Sequence, residues 1–350
     1  MIIISDTHIA TQRQAGTTPA SQIALKSAIQ DDFRRLVDRA NGQHLVINGD
    51  LFDGFSVDPG EVIKVYETLA DHLHNGGRLT VIAGNHDHAA KADKTSSFQL
   101  LAHIISRYSV EVDVIDHTTG LAKVCGGSDT WAISHCLNQS LFDMEIEKAI
   151  AAPGKFLLLH CNVMSGHTEH ADHSLNLSET QLDALVESGW SLIVGHEHQF
   201  KRLKAGKCLV PGNQIVTSVS DCLNNKDNAK FYVRLEDGVV ELVKWCEMSE
   251  IYTEVNWQDI PATDLETFQF IRVTGDCTAD QAALMVNAIA KLRQSSSAYV
   301  ISNAVKVEGV AQMEGLAEMS LSEMSKFDVL GALLEEMTER EQKTIKELLK

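Results

Sequence analysis

The sequence predicts an α/β fold, a parallel sheet layered with helices, and three observations carry the prediction. Short apolar runs alternate with amphipathic helical segments from Ile2 to Tyr108, the order expected of βαβ units. The helical segments keep their apolar residues on one face. Five of the apolar runs stop abruptly in polar side chains able to bind metal or move protons: Ile2–Ile4 before Asp6-Thr7-His8, Leu45–Asn48 before Gly49-Asp50-Leu51-Phe52-Asp53, Val81–Ala83 before Gly84-Asn85-His86-Asp87, Phe156–Leu159 at His160, and Leu192–Val194 before Gly195-His196-Glu197-His198. In an open α/β sheet the carboxyl ends of the strands are where ligands bind.

The elements follow in order. A helix is predicted over 21–40, where Ile23, Leu25, Ile29, Phe33, Leu36 and Val37 repeat at helical spacing. A second spans 59–74 and stops at Asn75-Gly76-Gly77, and a third spans 96–108. Strands are expected at 110–115 and 130–134, and a helix at 141–151. Ser178-Glu179-Thr180-Gln181 is a capping box for a helix over 178–188. Strands at 207–210 and 214–219 precede a hairpin, 231–235 with 239–245, turned at Asp237-Gly238.

The pattern then changes. Residues 248–266 read as a connector. A strand at 268–274, a helix opened by the capping box Thr278-Ala279-Asp280-Gln281, and a strand at 298–307 form a small βαβ unit. After a second connector, Phe327, Leu330, Leu333, Leu334 and Met337, then Ile345, Leu348 and Leu349, mark two short C-terminal helices. The predicted domains are 1–247, 266–309 and 320–350. The last is too short to bury its apolar stripe alone and is expected to lie against a partner.

Composition sets bounds. A net charge of −18 argues against binding nucleic acid through a general basic surface. Seven Cys without a C-x-x-C pair, and a first strand at Ile2 with no signal segment before it, point to reduced thiols and a cytoplasmic protein. No apolar run approaches the ~20 residues of a membrane span.

Asp6, His8, Asp50, Asn85, His160, His196 and His198 are too many ligands for one ion and suit two ions sharing a bridging carboxylate. Mixed imidazole and oxygen donors favour Mn²⁺, Fe or Zn²⁺ over Mg²⁺ or Ca²⁺. Paired metals activate water and clamp a phosphoryl group. His86, beside Asn85, is placed as a general acid, and Asp53 as the group holding its other ring nitrogen. Taken singly, Asp6 and Asp50 also read as helix caps, Asp53 as a turn residue, and His88 and His135 as neighbours of the site. His167, His170 and His173 read as a polar loop near its mouth.

D-x-H, G-D-x-x-D, G-N-H-D, a strand-end His and G-H-x-H, in this order over residues 6–198, resemble the calcineurin-type metallophosphoesterases. The resemblance implies a metallophosphoesterase sandwich of β-sheets flanked by helices. No Arg-Gly follows Asp53 where the protein Ser/Thr phosphatases would have it, and Asp87 stands where they carry Glu. The layout resembles the SbcD-type nuclease subunit of double-strand-break repair, including its phage counterparts. That resemblance implies a small βαβ capping domain, C-terminal helices docking on an SbcC-type, SMC-like ATPase, a homodimer, DNA as substrate and Mn²⁺ as metal. It places Asp6, His8, Asp50 and His198 on one ion and Asp50, Asn85, His160 and His196 on the other, with His86 catalytic and oriented by Asp53. Ile9-Ala10 departs from the Gly or Leu-Gly often found after D-x-H. The alternative function is a small-molecule phosphodiesterase or pyrophosphohydrolase on the same scaffold.

Overall fold

The structure is a computed structural model, and it describes residues 1–11, 18–88, 94–126, 129–152, 154–164 and 174–307. The chain runs β1 (Ile2–Ile4), α1 (Pro19–Ala40), β2 (His44–Asn48), α2 (Pro59–His74), β3 (Arg78–Ile82), α3 (Ser97–Tyr108) and β4 (Val112–Ile115). It continues through β5 (Ala122–Lys123), β6 (Thr130–Ile133), α4 (Gln139–Ala151), β7 (Phe156–His160), β8 (Asn162–Val163), β9 (Asn176–Leu177), α5 (Glu179–Glu187) and β10 (Ser191–Gly195). Then come β11 (Lys201–Leu203), β12 (Cys208–Val210), β13 (Ala229–Glu236), β14 (Val239–Glu247), α6 (Met248–Ile251) and β15 (Tyr252–Asn256). The last described elements are β16 (Phe270–Thr274), β17 (Asp276–Cys277), α7 (Ala282–Ser295), β18 (Val300–Asn303) and β19 (Lys306–Val307).

Two six-stranded sheets stack face to face, ordered β14-β13-β1-β2-β3-β4 and β11-β12-β10-β7-β6-β5. Both have parallel centres, β1 to β4 and β12-β10-β7-β6. Antiparallel strands β13, β14, β11 and β5 extend them. Ile3, Val46 and Ile82 meet Ala132, Leu158, Ile193 and Leu209 between the sheets. Ile2, Ile4, Leu45 and Ile47 face outward against Phe33, Leu36, Leu69 and Leu101 of α1, α2 and α3. On the far side Leu157, Leu159, Leu192 and Val194 pack on Phe142, Ile146, Leu182 and Leu185 of α4 and α5. The layers are therefore α/β/β/α, and the continuous apolar strands reflect burial on both faces.

Side-chain caps start the helices where the sequence predicts. Ser96 Oγ accepts from Gln99 N at 3.0 Å while Gln99 Oε1 accepts from Ser96 N at 2.9 Å. Ser178 and Gln181 repeat the arrangement at α5. The third box is only half made: Gln281 Oε1 accepts from Thr278 N at 3.4 Å, and α7 begins four residues later, at Ala282.

Two expectations need correction. Residues 214–219 are not a strand. Gln214 spends its side chain on Ser5 N, Gly212 O and Phe231 O, and Asp221 accepts from Thr217 N and Ser218 N. Side-chain bonds satisfy this backbone, so it needs no ladder. Residues 248–266 are not a plain connector either. They contain α6 and β15, and β15 pairs in parallel with β16 in the small sheet β15-β16-β18. Val255 and Trp257 share that unit's core with Ile271, Val273, Met285, Ile289 and Ile301. The C-terminal pair of helices expected at 320–350 lies outside the described residues, as does the His167–His173 loop.

Candidate metal centre

The five polar motifs converge on one edge because the tips of β1, β2 and β3 meet those of β7 and β10 across the sandwich. Asn48, last in β2, ties the tips together: its Nδ2 donates to Leu159 O at 3.0 Å and Ile193 O at 3.4 Å. Asp6 Oδ1 accepts from His196 N of the opposite sheet at 2.9 Å. The chain turns sharply at each tip. Asp6 (φ 53°), His8 (φ 43°), Asp50 (φ 49°) and His196 (φ 89°) all take the left-handed region. Each such turn is strained for a side-chain-bearing residue, and strain of this kind concentrates at functional sites.

The motif glycines make room for donors. A Cβ on Gly49 would lie 2.0 Å from His160 Nδ1, and one on Gly84 would lie 2.1 Å from Asp50 Oδ1. Only a bare backbone lets the ligand of a neighbouring strand pass so close.

Among the described residues, three groups of donor atoms each fit within 4.8 Å: Asp6, His8 and His198; Asp50, His160 and His196; and His8, Asp53 and His86. Asp50 Oδ2 lies between the first two, 3.7 Å from His8 Nε2 and 3.3 Å from His160 Nε2. Asn85 Oδ1 is 3.2 Å from His160 Nε2 and 3.0 Å from His196 Nδ1. All seven predicted ligands are thus brought together.

The arrangement fits cations. Asp6 Oδ2 is buried with no hydrogen-bond partner. The Nε2 atoms of His8 and His198 face each other at 3.0 Å, while their Nδ1 atoms face carboxylates at Asp53 (3.1 Å) and Asp221 (2.8 Å). The Nε2 contact is a hydrogen bond whose donor depends on the tautomers, and both rings place a nitrogen within 4.8 Å of an Asp6 carboxylate oxygen. The electrostatics agree. Burial opposes charge on His160, yet the adjoining Asp50 and Asp6 carboxylates raise its pKa to about 10. Burial likewise works against the Asp50 charge, but His160 holds that carboxyl well below its usual range. Oxygen and imidazole donors with no thiolate suit divalent metal ions of the catalytic kind.

Asp53 requires a correction. His86 Nδ1 donates at 2.9 Å to the backbone carbonyl of Asp53, whereas the Asp53 carboxylate faces His8 Nδ1 and accepts from Thr11 Oγ1 at 3.0 Å. Turning the chain after Asp50 points the carbonyl, not the side chain, at His86. The carbonyl performs the expected task, since it fixes the tautomer with Nδ1 protonated.

Three contributors carry no sequence signal strong enough to single them out. Asp87, in the third motif, is buried; its carboxylate accepts from Gly84 N (2.9 Å), Phe52 N (3.2 Å) and Leu51 N (3.3 Å), locking two motif loops together. Burial and the Asp50 charge raise its pKa to about 6. Asp221 backs His198 from a turn far along the chain. Lys230 is buried on β13 and donates to Asn213 Oδ1 (2.6 Å) and to the carbonyl of His198 (3.3 Å). His88 and His135 stand beside the site: His88 Nε2 donates to His135 O at 2.9 Å, and neither joins a donor group.

Comparison with known proteins follows the same line. A family model described as calcineurin-like phosphoesterase matches residues 1–200. No curated protein matches the chain. Among solved structures, the chain is similar to a cold-active protein-tyrosine phosphatase of the psychrophile Shewanella sp., with 12% identity over 69% of this chain and 79% of that one; the TM-score of 0.33 lends this likeness no weight. The family match and the Asp/His groups together indicate a metal-dependent phosphoester hydrolase. The chain belongs to the calcineurin-like phosphoesterase family.

Proposed function

We propose that the protein is a two-metal DNA phosphodiesterase, the nuclease subunit of an SbcC–SbcD-like complex in repair or recombination. The observation that carries the two-ion reading is the position of Asp50 Oδ2 between the two donor groups, within 3.7 Å of an imidazole of each. Asp6, His8, Asp50 and His198 would hold one ion, and Asp50, Asn85, His160 and His196 the other. Mn²⁺ is the preferred metal, as the donor set and the family resemblance favour it. When bound, the ions supply an activated water and a clamp on the phosphoryl oxygens.

The chain's own residues supply the rest. His86 keeps its Nδ1 proton on the Asp53 carbonyl, so Nε2 is the atom that carries a proton to the leaving oxygen. The His86 backbone N–H donates to Asp50 Oδ1 at 3.0 Å, which couples the acid's position to the bridging carboxylate. Asp87 holds Leu51 and Phe52 against Gly84 and keeps both loops in register.

DNA as substrate rests on the motif pattern and on the small βαβ unit that follows the sandwich. A homodimer has support on α2 and α3, whose packed pair leaves Ile63, Leu100, Ile104 and Tyr108 exposed. Two copies related by a two-fold axis would cover this face as a four-helix layer. The C-terminal stripe of 320–350 is assigned to the ATPase partner, and the proposed home is the cytoplasm. Among the described residues no helix is long and apolar enough to cross a membrane.

The test is cleavage of linear duplex and single-stranded DNA with Mn²⁺, Mg²⁺ or EDTA, beside bis-p-nitrophenyl phosphate. Mn²⁺-dependent DNA cleavage that disappears in His86→Ala is expected. Cleavage of the small diester alone would remove DNA and leave the small-molecule phosphodiesterase.

A further inference from the structure

The histidines of the centre are not backed alike. His8 Nδ1 faces the Asp53 carboxylate at 3.1 Å, and His198 Nδ1 faces the Asp221 carboxylate at 2.8 Å. His160 Nδ1 instead donates to a neutral carbonyl, Asn48 O, at 3.0 Å. His8 and His198 belong to the group that contains Asp6, and His160 to the group that contains Asp50.

We propose that Asp221 is a positioning residue that holds His198 with Nδ1 protonated, so that Nε2 is its ligating nitrogen. It makes the Asp6 side of the centre the tighter metal position. A carboxylate behind an imidazole fixes the ring and raises the basicity of the ligating nitrogen more than a carbonyl does. Asp221 is itself locked. It is 2% exposed, and its Oδ2 accepts from Thr217 N, Thr217 Oγ1 and Ser218 N, each at 2.9 Å. Three donors on Oδ2 leave the carboxylate unable to rotate, so Oδ1 stays aimed at His198. The Lys230 bond to the His198 carbonyl steadies the same loop from β13. This inference rests on the two-ion reading and is independent of DNA as substrate.

The locked orientation gives a sharp variant. In Asp221→Asn the amide oxygen must take the Oδ2 position, because two backbone N–H groups point there. The amide NH₂ then faces His198 Nδ1, which must become the acceptor, and the proton moves to Nε2, the atom the metal needs. The turn at 217–222 keeps its bonds, while the metal position loses a ligand.

The experiment is Mn²⁺ titration of the metal-free full chain by calorimetry, with melting temperature in EDTA measured alongside. Two binding classes are expected for the wild type. Asp221→Asn should weaken the tighter class 10- to 100-fold, leave the weaker class in place, and melt in EDTA within about 2 °C of the wild type. An unchanged tight class, or loss confined to the weak one, overturns the proposal. A single ion per wild-type chain overturns the two-ion reading instead. Should Asp221→Asn fail to fold, imidazole ¹⁵N spectra of the Zn²⁺-loaded wild type decide: His198 must show a protonated Nδ1 and a metal-bound Nε2, and the reverse overturns the assignment.

Discussion

His86 separates chemistry from binding at the scale of one residue. Its ring meets the centre at the Asp53 carbonyl and beside its edge-on neighbour His8, with ring centroids 5.0 Å apart. Replacing it with Ala should lower kcat by ~10²- to 10⁴-fold while Mn²⁺ affinity stays within about threefold, read by calorimetry and steady-state diester hydrolysis. His135 predicts a different pH behaviour. The ring is 5% exposed, and burial, reinforced by the neighbouring His160 and His88, lowers its pKa to about 2. Below pH 6.5 the unfolded chain takes up a proton that the folded ring refuses. His135 therefore contributes stability above pH 6.5 that is lost as pH falls, at up to ~1.4 kcal/mol per unit. Urea unfolding in EDTA between pH 7 and pH 5 should show this slope, and His135→Gln should make it shallower.

Strand tips are the working elements. Each delivers its donor at the end of the ladder or just past it, His160 being the last paired residue of β7, and glycines at the tips clear the path between strands. Gly49→Ala tests this. Its Cβ would collide with the His160 ring, and its φ of +88° disfavours any side chain. Loss of about 1–2 kcal/mol of stability is expected from the backbone alone. Displacement of His160 should add at least a tenfold loss of metal affinity. A variant with normal metal binding would mean that His160 is not held against β2. Gly154, whose Cβ would strike the Trp190 ring, serves as the control: Gly154→Ala should destabilise the outer layer of β7 and β10 without changing metal affinity per folded molecule.

For the whole molecule, the sandwich forms the centre only when both sheets are in place, since Asp6, Asp50 and Asn85 come from one and His160, His196 and His198 from the other. Metal binding should therefore raise the melting temperature of the entire sandwich cooperatively. The proposed dimer surface lies elsewhere, on α2 and α3. Leu100→Glu with Ile104→Glu should give a monomer in sedimentation velocity that still hydrolyses the small diester. Deleting residues 320–350 should preserve Mn²⁺-dependent hydrolysis and abolish association with an SbcC-type ATPase; loss of metal binding in that deletion would place the segment in the sandwich.

The sequence by itself determined the layered α/β class, the first three helices to within two residues, and the seven donors that meet at one edge. These are local: apolar strands buried on both faces, caps written in Ser and Gln, and polar residues placed directly after a strand end. Tertiary structure decided what depends on distant chain segments meeting. It assigned the Asp53 carboxylate to His8 and its carbonyl to His86, because a tight turn sets which group points where. It brought Asp221 behind His198, 23 residues away, through a turn whose own side-chain bonds displaced the expected strand at 214–219. It drew β15 out of an apparent connector, because a polar edge strand shows its pairing only when a partner, here β16, is beside it. Periodicity reports which face of an element is buried; only the packed chain reports which hydrogen bond each buried polar group makes.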